Sequence, residues 1–212
     1  MFNPTTAIRL LLLLLTATLV QASSADAPDA QALISRLARP APASVDFTEI
    51  RFSPLLRTPV IVSGTLGYEG ADTLDRHVVT PYREDTQIRG NAVKVRREGE
   101  PERSFALKRA PELQGLLSAF AAMLGGDHAA VERTFEIATS GTDDAWSIEL
   151  TPRDARLAKR VQTIRIDGRQ GQPDCFWILN DNQSASAMLL GETAHMELMQ
   201  PLTREWLERK CR

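Results

Sequence analysis

The chain is short of most residue types that announce chemistry. Among 212 residues there are three histidines, two cysteines and few aromatics, 6% in all. His77, His128 and His195 stand far apart in the sequence, and none has a second ligand at metal-binding spacing. Cys-x-x-Cys is absent, which argues against a redox centre. There is no Gly-x-Ser-x-Gly elbow, no zinc-binding helix and no phosphate-cradling loop. Gly64, Gly67 and Gly70 recur every third residue, but they lie in a strand-like stretch where a bulge or a sharp bend accounts for them. The chain also lacks a basic excess: 25 Lys and Arg stand against 27 Asp and Glu. Such a balance leaves no electrostatic footprint for nucleic acid or for an anionic membrane surface. These absences point away from an enzyme and from any cofactor.

The N-terminus is more informative. Arg9 precedes a compact apolar run, Leu10–Leu15 continued by Ala17, Leu19 and Val20, and small residues follow. This order is that of a secretory leader, 1–25, cleaved after Ala22 or Ala25. The run falls short of the roughly 20 apolar residues that span a bilayer, so the mature chain is expected to be periplasmic and not membrane-spanning. About 190 residues remain, suited to one domain, 26–212. In an oxidising compartment Cys175 and Cys211 favour a disulfide that pins the C-terminal tail.

Periodicity divides the mature chain into three textures. Asp29–Leu37 reads as a helix capped by Asp29 and ended by Pro40. From Val45 the period falls to two, with strands over 45–52, 60–68, 74–80, 84–89, 92–97 and 103–108 separated by turn residues. Pro111–Leu124 is an amphipathic helix with Leu113, Leu116, Leu117, Phe120, Met123 and Leu124 on one side, and a short helix follows over 127–132. Strands resume over 134–139, 145–150, 161–166, 174–180 and 184–190, and a polar helix closes the chain from about 202 to 210. Tight turns cannot join parallel strands. The expected fold is therefore α+β: one strongly curved antiparallel sheet of about eleven strands, with a few helices over its concave face.

The stripe on the central helix is what ordinary core packing would produce. It is equally what an apolar lid over a concavity would carry, with methionine and phenylalanine adapting to variable partners. Expected wall residues are Val62, Leu66, Ile88 and Ile148.

Several local motifs resemble the periplasmic outer-membrane lipoprotein carriers, the LolA-like family, in a divergent branch. The resemblance rests on Phe47-Thr48-Glu49, then Val62-Ser63-Gly64-Thr65-Leu66-Gly67-Tyr68, the helical insertion, and Trp146-Ser147-Ile148-Glu149-Leu150-Thr151-Pro152. Val161–Gly168 and the final hairpin through Leu190 follow in the family's order. It implies a half-open β-barrel with an apolar cavity under helical lids. The implied function is a monomeric carrier or chaperone, without cofactor, that shuttles an acylated cargo (lipoprotein, fatty acid or glycolipid) from an inner-membrane donor to an outer-membrane acceptor. Carriers of the main branch hold the lid with an arginine in a Lys-Arg-Pro hairpin. Here the corresponding stretch runs from Tyr68 to Arg76, and Arg76 is the nearby candidate for a lid contact. The alternative is a non-lipid binding or scaffold protein, an envelope sensor or assembly factor on the same sheet.

Overall fold

The computed structural model describes residues 27–70, 73–107, 117, 121–180 and 183–212. The leader predicted over 1–25 lies outside them.

Eleven strands form one antiparallel sheet in the order β6-β5-β4-β3-β2-β1-β11-β10-β9-β8-β7. They are β1 (Ala43–Phe52), β2 (Val60–Gly70), β3 (Thr73–Thr80), β4 (Glu84–Arg89), β5 (Ala92–Arg97), β6 (Arg103–Ala106), β7 (Phe135–Gly141), β8 (Ala145–Pro152), β9 (Thr163–Arg169), β10 (Gln172–Leu179) and β11 (Ala185–Leu190). Two meanders, β1 to β6 and β7 to β11, are joined where β1 pairs with β11 from Phe47–Leu190 to Phe52–Ala185. The sheet does not close: β6 and β7 are its two edges. Between them the chain must pass from one edge to the other within residues 107–134. The α+β half-barrel expected from the period-two pattern is the observed fold.

Register decides which side chains share a face. Starting from Phe47, paired residues carry one face through Val62, Leu66, Arg76, Val78, Ile88 and Val93 on one side of the sheet. On the other side the same face continues through Met188, Phe176, Ile166, Ile148 and Ile137. Helix α1 (Ala30–Leu37) packs Leu33, Ile34 and Leu37 onto the β7–β10 half of this face, together with Met123 and Val131. Val131 belongs to α2 (His128–Thr134). We call this the α1 face. Both helices start where the sequence places a cap: the Asp29 carboxylate accepts the Ala32 N–H at 2.8 Å, and Asp127 accepts that of Ala130 at 3.0 Å. Two short elements are additional to the sequence reading, α3 (Ala155–Ala158), capped by Asp154, and a 3-10 turn, Gly191–His195.

The C-terminal helix α4 (Arg204–Cys211) is the point of departure. Helices were expected on one face only, yet α4 lies on the opposite face. There Leu207 and Cys211 pack with Ile50, Cys175, Trp177, Ala187 and Leu189. The reason is that β10 is apolar at consecutive positions, Cys175 to Leu179, and needs cover on both sides. A disulfide joins Cys175 to Cys211 with a Cα–Cα distance of 5.7 Å, fixing α4 to β10.

Two glycines are dictated by close approach. A side chain at Gly64 would collide with the His77 carbonyl across the β2–β3 pair, where the register also slips between Ser63 and Gly64. One at Gly168 would strike the Trp146 ring, which lies flat over that position. The glycine repeat is thus a bulged strand.

Removing the bridge tests how much α4 depends on it. Closing a 36-residue separation stabilises the fold by about 3–4 kcal/mol in the chain-entropy model. Cys175→Ala/Cys211→Ala should lower the urea-unfolding free energy by about that amount. Reductant should bring the native protein down towards the variant and leave the variant unmoved.

Candidate functional site

All four residues expected to form the wall lie on the α1 face. Val62 and Ile148 are fully buried, and Leu66 and Ile88 half-buried. They belong to different parts of that face. Ile148 sits beneath α1 and α2 among Leu150, Ile164 and Ile166. Val62 packs with Phe47 and Val78, against which Leu66, Met188 and Leu190 rest. Ile88 is opposite Val93 and Leu74 on β4's two neighbours. Together they trace an apolar band across the sheet.

Of the expected lid residues, Leu113, Leu116 and Phe120 lie outside the described residues. Leu117 is helical and half-buried. Met123 is buried in the cluster under α1, and Leu124 is half-buried, its carbonyl accepting the Arg39 N–H at 2.8 Å. The end of the edge-to-edge crossing is therefore lodged on the α1 face, next to α1. Among the described residues two surface depressions stand out. One of about 430 Å³ lies beside Pro28, Arg36 and Asp143, and one of about 310 Å³ lies by Phe52, Leu56 and Val60. Neither is lined by the wall residues.

Arg76 is on the same face, but its partners belong to the sheet. Its guanidinium donates to Glu49 at 2.7 Å, lies 3.6 Å from Glu84, and sits 4.9 Å from the centre of the Phe47 ring. Glu49 also accepts two hydrogen bonds from Arg51, both at 2.8 Å, and one from Ser186 at 2.6 Å. Glu84 faces Arg97 at 3.5 Å, and Arg97 in turn stacks 3.8 Å from the centre of the Tyr82 ring. A polar belt therefore crosses the α1 face from β11 to β5, beside the apolar band. Burial opposes the Glu49 charge, but the hydrogen bonds from Arg51 and Ser186 and the charges of Arg51 and Arg76 outweigh it and hold the carboxyl below its ordinary range. The sequence reading found only Arg76 of this belt. The available signal was the i, i+2 spacing of Glu49 and Arg51 in a strand, which places opposite charges side by side on one face.

The opposite face carries the other polar groups. His77 meets Asp85 at 2.8 Å, and Arg96 approaches the same carboxylate at 3.1 Å. His195 meets Asp46 at 3.0 Å near the 3-10 turn. In each case the partner is a carboxylate on the surface, not a nucleophile. Beneath α4, Arg165 and Asp167 form a buried pair at 3.0 Å, and burial pushes the Asp167 carboxyl up. No group of three or more potential metal ligands occurs among the described residues.

The Glu49 belt has a pH signature. A carboxyl whose folded-state pKa is depressed stabilises the fold above its unfolded value, about 4.3, and that stability is lost as pH falls through the folded-state value. Glu49→Gln leaves Arg51 without its anion and Arg76 with Glu84 alone, and should cost roughly 2 kcal/mol at pH 7, less than a fully buried pair because Arg51 is half exposed. Denaturant midpoints of variant and native protein should converge as pH drops through the acid limb.

Comparison with known proteins places this geometry. Among curated proteins, none matches the chain in sequence. Solved structures with a similar fold include a LolA superfamily protein of Nitrosomonas europaea, 13% identical, covering 85% of this chain and 100% of that one at a TM-score of 0.43. Another is the MucA/MucB complex of Pseudomonas aeruginosa, 13% identical, with 77% and 56% covered and a TM-score of 0.39. This chain thus spans little more than half of that one. A third is LprF of Mycobacterium bovis, 12% identical, with 84% and 100% covered at 0.34. Likenesses at this level carry no argument about the site. The family model described as outer membrane lipoprotein carrier protein LolA-like matches residues 22–203, nearly the whole chain, and this protein belongs to that family.

Proposed function

We propose that the chain is a periplasmic carrier that holds the acyl chains of a lipoprotein or another lipid against the α1 face and delivers them towards the outer membrane. The observation that supports this best is the width of the apolar band. On one half of the sheet, α1 and α2 fill the face with Leu33, Ile34, Leu37 and Val131. On the other half the face still presents Val62, Leu66, Val78, Ile88 and Val93, although none of the described helices packs there. In this reading its cover comes from the sequence between β6 and β7, which carries the stripe Leu113, Leu116, Leu117, Phe120, Met123 and Leu124. Met123 stays anchored in the core under α1, and a lid of this kind moves about that anchor.

Magnitude sets what such a lid must do. At about 0.8 kcal/mol per methylene, a sixteen-carbon chain gains on the order of 12 kcal/mol on leaving water. A carrier that offered all of it would never release its cargo, so part of the gain must go into displacing the lid from the band it otherwise covers. The leader over 1–25 and the Cys175–Cys211 bridge support an oxidising compartment for this work.

Native mass spectrometry of the mature protein, purified from a bacterial periplasm without detergent, tests the reading. Discrete adducts with the masses of fatty acids, phospholipids or acylated peptides are expected. Leu117→Asp and Phe120→Asp should each weaken binding at least tenfold, a loss of about 1.4 kcal/mol or more, with thermal melts showing that the variants fold. A bare mass that persists after adding long-chain lipid would favour the scaffold alternative.

A further inference from the structure

The β1–β2 connection, residues 53–59, projects apolar side chains into water. Leu55 is 94% exposed and Leu56 44%. The loop is not slack: the Ser53 carbonyl accepts the Leu56 N–H at 3.0 Å, and the Ser53 hydroxyl oxygen accepts the Leu55 N–H at 3.3 Å. Pro54 occupies the second position of this turn, which its fixed φ suits. Ordinary loops leave such positions polar, and here a preformed turn holds two leucines outward.

The same end of the sheet adds Val79, 62% exposed, at the end of β3, and Val60 and Ile61, each 36% exposed, at the start of β2. Single exposed apolar residues are commonplace, but here two leucines at the tip are flanked by Val60 on the α1 face and by Ile61 and Val79 on the other. The charge next to the tip in sequence is basic, while Glu98 reaches the same end with its N–H donating to the Arg83 carbonyl at 3.0 Å. From Ile50 to Tyr68 the chain holds Arg51 and Arg57 and no acidic residue or lysine. Arg83 lies exposed on the β3–β4 turn at the same end. Arg51 is paired with Glu49 at 2.8 Å, so Arg57 and Arg83 are the exposed cations beside the leucines. Leucines that point outward among guanidinium groups suit the interface of an anionic bilayer, where alkyl groups enter the acyl region and arginines engage phosphates.

We infer that the Leu55–Leu56 turn, with Arg57 and Arg83 beside it, is the point at which this protein docks on an anionic phospholipid surface. Taken with the carrier reading, on which this part of the inference rests, the tip also sets the route of transfer. Val60, Val62 and Leu66 alternate along β2 on the α1 face, leading from the tip into the apolar band. An acyl chain drawn from the bilayer at Leu55 meets them in that order.

Vesicle flotation tests the docking with the mature chain. Vesicles of phosphatidylethanolamine and phosphatidylglycerol at 3:1 should carry the protein to the top of the gradient, at least five times more of it than phosphatidylcholine vesicles do. Leu55→Asp/Leu56→Asp should reduce this binding at least tenfold without changing the thermal melt, and Arg57→Glu should remove the preference for anionic lipid. Leu55→Trp should shift its emission to the blue on meeting the anionic vesicles, reporting insertion and not adsorption alone. Flotation of Leu55→Asp/Leu56→Asp equal to that of the native protein would overturn the inference. So would a native protein that ignores both vesicle types, or a concentration-dependent dimer that the double variant abolishes, which would assign the tip to a second copy. Acyl-chain loading is read separately on the same samples. Loading kept while docking is lost supports the tip as a docking element. Docking kept in a native protein that never loads also supports it, and counts against the carrier reading alone.

Discussion

Six residue pairs between β1 and β11, from Phe47–Leu190 to Phe52–Ala185, hold two meanders in one sheet. Each meander is a chain of local hairpins that could form alone. This pairing is the contact that spans most of the sequence, and it makes β1 the middle of the molecule, buried on both faces from Phe47 to Ile50. It also creates the problem that the rest of the fold solves. With β1 and β11 at the centre, the ends of the two meanders become the edges, and β6 and β7, consecutive in sequence, lie at opposite ends of the sheet.

The polar belt on the α1 face fits the same constraint. A band of side chains made only of Val, Ile and Leu would bind its cover without discrimination. Glu49, Arg51, Arg76, Glu84 and Arg97 break the band at one end, and they are satisfied by one another across four strands. Their charges are neutralised inside the sheet, so the belt needs no outside partner to be stable. It gives the face one polar margin and leaves the remainder apolar. Phe47 and Tyr82 extend that margin by offering ring faces to Arg76 and Arg97.

Much of this was legible in the sequence because the hairpins are local. Glu84–Arg89 and Ala92–Arg97 were read to the residue, since Gly90-Asn91 leaves little choice of turn. The fold class and strand number follow from such turns, and the LolA-like resemblance from the order of motifs. What escaped was non-local. Nothing in the local pattern of β1 says that it pairs with a strand some 140 residues later. The face chosen by α4 escaped for a related reason. The helix buries only Leu207 and Cys211 and reads as polar, whereas the demand comes from the uninterrupted apolar run in β10. The Glu49 belt depends on register across β1 to β5, and one residue's slip would have sent Arg76 to the other face. Exposure of Leu55 could not be read either, because Pro-Leu-Leu in a loop looks the same whether it is tucked in or held out.

The disulfide on the far face divides the molecule into parts of unequal freedom. Cys175 fastens α4 to the second meander, directly behind the strand whose other side bears Phe176 and Ile178. Motion at β10 is therefore damped from behind. The first meander has no such staple among the described residues, and β6, its outermost strand, is only four residues long. The bridge thus ties down one wing of the sheet, β9 to β11, and leaves β5 and β6 at the other without a covalent tether among the described residues. The covalent bond acts as an anvil, leaving the opposite wing to flex around whatever lies on it.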